Sequence, residues 1–383
     1  MQDLGGPALE CDARGTWHIR DFELVRSVLR NGQVSQAGFN ADMISKISRM
    51  MRTPILYQDG QQHHEQRRQT ARFFTPKTVS TNYREMMEKL VERLIEDLKR
   101  AGQVDFSDLT LEMAVRVAAQ VVGLTNSRLP GMSARLDAFF KAEMAAFSWR
   151  PGALWQFSSN QRRLLTFYWL DVDPAIRARR RKAGDDLISH LIGQGYSGME
   201  ILTECVTFAA AGMATTREFL SIAVWHMLEH PALRARYLVA SQEERYAILH
   251  EILRLEPVVG HLYRRSASDL ELTHDGQKIV IPAGSLIDLN IHSANTDVEI
   301  VGAYPLQICP GRKMSKERIP AEMVSFGDGY HRCPGSYLAI QETDMLLTRL
   351  LALEGLSMKQ QPQVGWKELI AGYELRHFML ALD

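Results

Sequence analysis

Apolar residues recur at helical spacing along most of the chain. Phe22, Val25 and Leu29 follow Asp21 at intervals of three and four, which predicts a helix capped by Asp21 and running to Arg30. Thr16 to Ile19 predicts a short strand before it. Gln61 to Phe74 reads as the next clear helix. From about Thr78 to Ile192 the pattern stays helical, with breaks at Gly102, Gly123, Pro130, Pro151-Gly152 and Pro174. Ser197 and Glu200 stand at capping-box spacing and open a long helix that reaches about His230. Within it, Cys205 to Ala214 is apolar on every side apart from Thr207, which predicts burial all round. Gln242 to Leu255 predicts another helix. Leu270 to Leu272 and Val280-Ile281 predict strands joined by turns. Tyr304 to Val324 carries Pro305, Pro310 and Pro320 and predicts irregular chain. A helix from Ser336 to about Ala352 places Ala339, Thr343, Leu346 and Leu350 on one face. Gly372 to Leu382 predicts a final hairpin strand. The fold class expected is mainly α with small β-sheets. No repeat, low-complexity segment or linker-like shift divides the chain, so one domain over 1–383 is expected.

Composition narrows the classes. The chain has 383 residues, of which 45% are hydrophobic, enough for a large core. Lys plus Arg and Asp plus Glu are 45 each, so nothing global points to nucleic acid or an anionic membrane. The basic run Arg177 to Lys182 reads as a solvated helix end. The first twenty residues hold no apolar run long enough for a signal or an anchor. The four cysteines, Cys11, Cys205, Cys309 and Cys333, show no paired spacing. A soluble protein in a reducing cytoplasm, with no nucleic-acid or membrane partner, is expected.

The candidate chemistry centres on Phe326 to Gly335. Gly327 and Gly329 permit a tight loop, and Pro334 and Ser336 open the next helix. Cys333 therefore sits at a helix N-terminus, where unpaired amides and the helix dipole favour a thiolate. Gly335, lacking a Cβ, lets something flat and bulky approach the sulfur, and Phe326 shields it. A lone thiolate in such a site suggests a metal ligand, with haem iron the strongest candidate. The plain alternative is a buried free cysteine after a turn.

Phe326, Gly327, Gly329, His331, Cys333 and Gly335 fill all six fixed positions of Phe-Gly-x-Gly-x-His-x-Cys-x-Gly, which resembles the haem-ligand loop of the cytochrome P450 family. Three further motifs follow the family's order. His63 and Arg67, four apart on one helix, resemble its His-x-x-x-Arg, which holds a haem propionate. A threonine hydroxyl at Thr215 can bond the carbonyl four residues back, at Ala211, and loosen the helix locally. Ala210, Ala211 and Gly212 with Thr215 and Thr216 resemble the oxygen-activation turn of the family's central helix. Glu251 and Arg254 resemble its buried structural pair. The resemblance spans about Gly15 to Leu382. It implies haem b, with Cys333 as the iron ligand and Ala211, Gly212, Phe326, Gly327, His331 and Gly335 around the ring. It further implies Arg264, rather than Arg265, on a propionate, and Thr215 steering protons to dioxygen. Met43, Ile47, Ala210, Met213, Ala214, Val259 and Gly260 are candidate pocket residues. Family members carry a longer N-terminal segment and a first helix, of which this chain has almost none.

The implied activity is insertion of one oxygen atom from dioxygen into a small or medium apolar organic substrate, with secondary metabolism as the expected setting. The chain holds no flavin or nicotinamide fingerprint, so electrons would come from a ferredoxin and ferredoxin reductase. Arg312, Lys313, Lys316, Arg318 and Arg332 form a candidate docking patch for such an acidic partner, with Arg68 and Arg72. One departure matters. The family's acid before the first threonine is Ala214 here, and Glu218, one turn on, is a candidate substitute in the proton relay. That gap leaves room for other haem-thiolate chemistry: oxidative coupling, desaturation or peroxide-driven oxidation. A haem-binding sensor without turnover is the remaining rival.

Overall fold

A computed structural model describes residues 6–39, 41, 52–141 and 151–383, the side chains of 141 and 151–157 excepted. Met43 and Ile47 lie outside the described residues.

The Asp21 carboxylate accepts from the Leu24 amide at 2.8 Å and starts helix α1, Phe22–Arg30. Phe22, Val25 and Leu29 point inward as the spacing predicts, joined by Leu24 and Val28. They fill a core beneath a five-stranded sheet. Its strands are β1 Leu9–Cys11, β2 Trp17–Ile19, β3 Val34–Gln36, β4 His261–Ser266 and β5 Leu286–Asn290, in the order β1-β2-β5-β4-β3. All pairings are antiparallel except β2 with β5. A hairpin of Leu270–His274 with Gln277–Ile281 adds Leu270, Leu272 and Ile281 to the same core.

A larger apolar core joins the helices. Those that matter for the site are α2 Gly60–Thr70, α3 Arg84–Ala101, α4 Phe106–Val122, α5 Gly198–Glu229, α6 Gln242–Leu255 and α7 Ser336–Leu350. The predicted breaks at Gly102 and Gly123 end α3 and α4. Helix α5 has both halves of its capping box: the Glu200 amide donates to Ser197 Oγ at 3.3 Å and the Ser197 amide to Glu200 Oε2 at 2.8 Å. It packs most extensively on α4. No described helix is long and apolar enough to cross a membrane.

Three expectations need correction. Helix α5 is not buried all round: Ala211 is exposed, and Thr207, Phe208 and Thr215 on the same side are only partly covered. Small side chains there leave space instead of filling it. Thr215 Oγ1 does donate to the Ala211 carbonyl at 2.6 Å, yet α5 continues unbroken through that turn. The C-terminal stretch is two strands in different sheets. β7, Gly372–Arg376, pairs with β6, Gln363–Lys367, whereas β8, Met379–Leu382, joins Gln103–Asp105 and Leu356–Gln360.

Candidate active site

The cysteine loop is shaped by its backbone and anchored by ion pairs. Gly327 and Gly329 adopt φ of +68° and +63°, angles that favour glycine. At Gly329 a side chain would also collide with the Leu29–Arg30 backbone at the end of α1. Beside it, Asp328 accepts from Arg26 Nε at 3.0 Å and Arg30 Nε at 2.9 Å, which ties the loop to α1. The Cys333 amide donates to the Phe326 carbonyl at 2.8 Å, closing the loop ahead of α7. Phe326 is half-buried against the helical core. A Cβ on Gly335 would sit 3.9 Å from Cys333 Sγ, so glycine keeps the space beside the sulfur open.

Burial pushes the Cys333 thiol up from its ordinary value, against the opposing pull of the Gly335 amide, Arg67 and Arg332. The helix end alone therefore does not create the expected thiolate. A metal ion bonded to the sulfur would, because coordination displaces the thiol proton.

Basic side chains from separate elements collect next to this loop. His63 on α2 is buried, and its ring stacks on His331 with centroids 4.1 Å apart. Burial, then His331 and Arg67, lower the His63 pKa to about 4, so it is neutral near pH 7. Arg67, one turn along α2, donates to the Arg332 carbonyl. Arg264 on β4 is buried, whereas its neighbour Arg265 is partly exposed. The Arg264 guanidinium reaches Gln36 Oε1 at 2.5 Å and its neighbour's carbonyl at 2.8 Å. Arg264 and Arg67 form no ion pair with any described carboxylate, and burial pulls the Arg264 pKa down to about 10.

His63, His331 and Arg264 share Asp59, which the sequence alone did not reveal. Its carboxylate lies 3.2 Å from His331 Nε2 and close enough to stabilise positive charge on His63 and Arg264. A buried guanidinium without an anion is costly. One borrowed carboxylate serves a cluster that has room for more. A flat group with two carboxylates and an iron for the sulfur fits this donor set, and haem b is such a group.

The open face of α5 carries Ala211 and Thr215. It is bounded by two buried acids, Glu204 and Glu218, each seven residues from Ala211. Glu204 Oε1 accepts from the Ile55 amide at 3.2 Å and Gln66 Nε2 at 3.1 Å, while Oε2 has no partner among the described residues. Burial pushes its pKa up to about 7. Glu218 is not free to relay protons. Its carboxylate accepts from the Leu375 amide and from Arg376, each at 2.8 Å, and so fastens α5 to β7. Ala214 is buried.

Two expected contacts face elsewhere. A Cβ on Gly212 would lie 3.4 Å from the Ala118 Cβ, so this glycine admits α4, not a cofactor. Met213 lines a small apolar void with Val115, Met132 and Leu136, on the α4 side as well. Ala210 is partly covered. Val259 and Gly260 are half-buried, and Gly260 fits under the Ala371 carbonyl, with Trp366 4.0 Å from where its Cβ would be.

The Glu251–Arg254 pair is buried and bidentate, with both contacts at 2.8 Å. Arg254 also donates to the Asn295 and Pro305 carbonyls. Asn295 in turn accepts from the Val324 amide and donates to Ser325 Oγ, just ahead of Phe326. Arg312 is not a docking cation. Its side chain is 7% exposed and donates to Glu251 and to backbone carbonyls, completing the pair as a triad. Lys316, itself exposed, pairs with Glu23 and Arg332 with Glu322, whereas Lys313 and Arg318 are exposed with no ion pair among the described residues.

Comparison with known proteins agrees with this geometry. The family model for cytochrome P450 matches residues 246–365, from α6 through the cysteine loop. The chain is 27% identical to the cyclooctat-9-en-7-ol 5-monooxygenase of Streptomyces melanosporofaciens, over 86% of this chain and 77% of that protein. It is equally identical to the erythromycin C-12 hydroxylase of Saccharopolyspora erythraea, over 90% and 83%. Among solved structures, CalO2 superposes with a TM-score of 0.81 at 21% identity, over 100% of this chain and 94% of that one. P450BioI, solved with an acyl carrier protein, gives 0.76 at 20%, over 96% and 93%. Loop, cations, buried triad and fold converge, and the chain belongs to the cytochrome P450 family, the haem b monooxygenases.

Proposed function

We propose that Cys333 ligates the haem iron, that His63, Arg67, Arg264 and His331 hold the propionates, and that the whole chain acts as one haem-binding unit. When bound, the haem supplies dioxygen binding and O–O cleavage, which a cysteine ligand promotes by pushing electron density to the iron. The chain supplies the rest. Phe326 and the loop backbone cover the sulfur. Ala211 leaves the volume that a reactant needs. Thr215 Oγ1, anchored on the Ala211 carbonyl, holds a proton at the open face.

The observation that carries this reading is the cysteine beside a cluster of basic side chains, His63, His331 and Arg264, that share one aspartate. The substrate we infer is a small or medium apolar organic molecule of secondary metabolism. Support comes from the open small-residue face and from relatives named as a cyclooctat-9-en-7-ol monooxygenase and an erythromycin hydroxylase. A ferredoxin and its reductase are the proposed electron donors, in the cytoplasm.

The test is the spectrum of the reduced, carbon monoxide-treated holoprotein. Wild type should show the far-red-shifted Soret band of thiolate-bound haem, and Cys333→Ser should lose it. A band that survives the substitution, or is never present, removes the proposal.

A second reading rests on Ala214 and on the engagement of Glu218 by Arg376. On this reading, with no acid at the usual place, hydrogen peroxide serves in place of dioxygen and electrons. Turnover driven by hydrogen peroxide that exceeds turnover with the ferredoxin pair, on the same substrate, would favour it.

A further inference from the structure

An ion pair closes the cysteine loop across its two ends. Glu322 stands four residues before Phe326, at the start of a turn in which the Ser325 amide donates to the Glu322 carbonyl at 3.2 Å. Arg332 stands at the far end, next to Cys333 in the chain. Arg332 Nη2 donates to Glu322 Oε1 at 2.8 Å. The Glu322 side chain is 6% exposed and the Arg332 side chain 35%. Beyond Glu322, His250 on α6 places Nδ1 3.1 Å from Oε2, out of line for a hydrogen bond. The other acids at the loop are engaged elsewhere, Asp328 with Arg26 and Arg30 and Asp59 with His331. Glu322 is therefore the acid that answers the charge of Arg332.

Holding the loop in place does not require such a pair. Asn295 ties Val324 and Ser325 with an uncharged amide. A buried carboxylate against a guanidinium adds a fixed electric field instead. Burial works against charge on Glu322, but His250 and Arg332 outweigh it and hold its pKa below the ordinary value, so the group is ionised near pH 7. Arg332 is one of the groups that pull the Cys333 pKa down against burial, so its field reaches the sulfur. A field at the sulfur is a field at whatever metal the sulfur binds. Positive charge there favours the metal state with one more electron, and a carboxylate beside that charge cancels much of the preference.

We propose that Glu322 is a positioning residue for electron uptake: it holds Arg332, cancels its charge and so keeps the reduction potential of the cysteine-bound iron low. The inference rests on Cys333 being the haem ligand. The step it governs moves one electron from the donor to iron(III), giving iron(II), with no proton transferred and no bond broken in the chain.

The test is the reduction potential of the holoprotein, taken by dye-mediated titration at fixed pH and ionic strength. Glu322→Gln keeps the shape and leaves Arg332 unanswered. The ratio of iron(II) to iron(III) at a given applied potential should rise about tenfold, or about 59 mV for one electron. Arg332→Gln leaves Glu322 unanswered, and the ratio should fall. The double variant loses both charges and should lie closer to wild type than either single one.

Opposite signs are the mark of charge. A loosened loop would move both single variants the same way, so shifts of equal sign overturn the proposal, as does a wild-type ratio in Glu322→Gln. If Glu322→Gln fails to hold haem, Arg332→Gln decides, since it alters a partly exposed side chain. A ratio that does not fall there overturns the proposal. Each protein is also reduced and treated with carbon monoxide. The far-red-shifted Soret band with unmoved potentials refutes the role of Glu322 alone, whereas its absence from wild type refutes the ligation beneath it.

Discussion

The two sides of the site are built on opposite plans. The cysteine loop is fastened by charged and polar contacts to several elements: Asp328 to Arg26 and Arg30, and Val324 and Ser325 to Asn295. Asn295 is joined in turn to the Glu251–Arg254–Arg312 triad. The α5 turn opposite has almost none of this. Its side chains are small, its face is open, and its one polar tie at that face runs from Thr215 back to its own helix. A ligand has to be held at fixed distance and angle, which takes a satisfied network. A reacting face needs volume and a mobile proton, which a network would consume. Stability and turnover should therefore separate by side.

The strongest way to break that contrast is Arg254→Ala. It leaves Glu251 buried and removes the link through Asn295 to the loop, at a cost of about 3–5 kcal/mol. Urea denaturation of the holoprotein should report that loss, together with poor haem retention. A loss below about 1 kcal/mol would mean that the loop does not depend on the triad, and the contrast would fail on its better-defined side.

Much of the cysteine side was legible in the sequence because its parts are local. The loop, the His63–Arg67 spacing and the Glu251–Arg254 spacing each fall within one turn or one helix. Arg312 was misread for the opposite reason. A cation in an irregular, proline-rich stretch looks solvated, and only the fold brings it 61 residues back to Glu251. Asp59, Asp328 and Glu204 were missed on the same grounds, since their partners are distant in the chain. On α5 the sequence marked the small-residue turn and the Thr215–Ala211 bond. It did not show that the apolar stretch has an open side, because periodicity counts apolar positions and not the neighbours that cover them. The Gly212 contact with α4 and the Glu218 contact with Arg376 depend on such neighbours.

Glu204 sharpens the contrast through pH. It stands at one end of the open face, and burial raises its pKa from its ordinary value to about 7. The folded protein keeps that proton up to about pH 7, whereas the unfolded chain loses it from about pH 4.5. The unfolded state thus binds fewer protons between these values, and stability should fall as pH rises through the window, by on the order of 3 kcal/mol in all. Above pH 7 the contribution levels off. Glu204→Gln should flatten the slope and make the protein more stable than wild type at pH 7.5, as measured by thermal melting. An unchanged slope would show that the carboxyl is ionised throughout, and that this end of the face is held by charge like the cysteine loop.

The smallest effect on stability should come from Thr215→Ala, and it bears most directly on the idea. The hydroxyl bonds a carbonyl that already serves the helix, on a face left open to solvent. Such a bond contributes little net stability, and alanine is the better helix former, so the change should stay within about 0.5 kcal/mol. The same substitution removes the only hydroxyl of the turn that sits on the open face, so the share of electrons lost to peroxide should rise several-fold. Melting temperature and peroxide yield, measured on one preparation, decide the matter together. If stability fell by 2 kcal/mol or more, Thr215 would be a structural residue and the two sides would not differ in kind. If neither quantity moved, proton delivery would lie elsewhere on the open face. Only a stable, uncoupled protein matches a turn that is built for chemistry and carries no load.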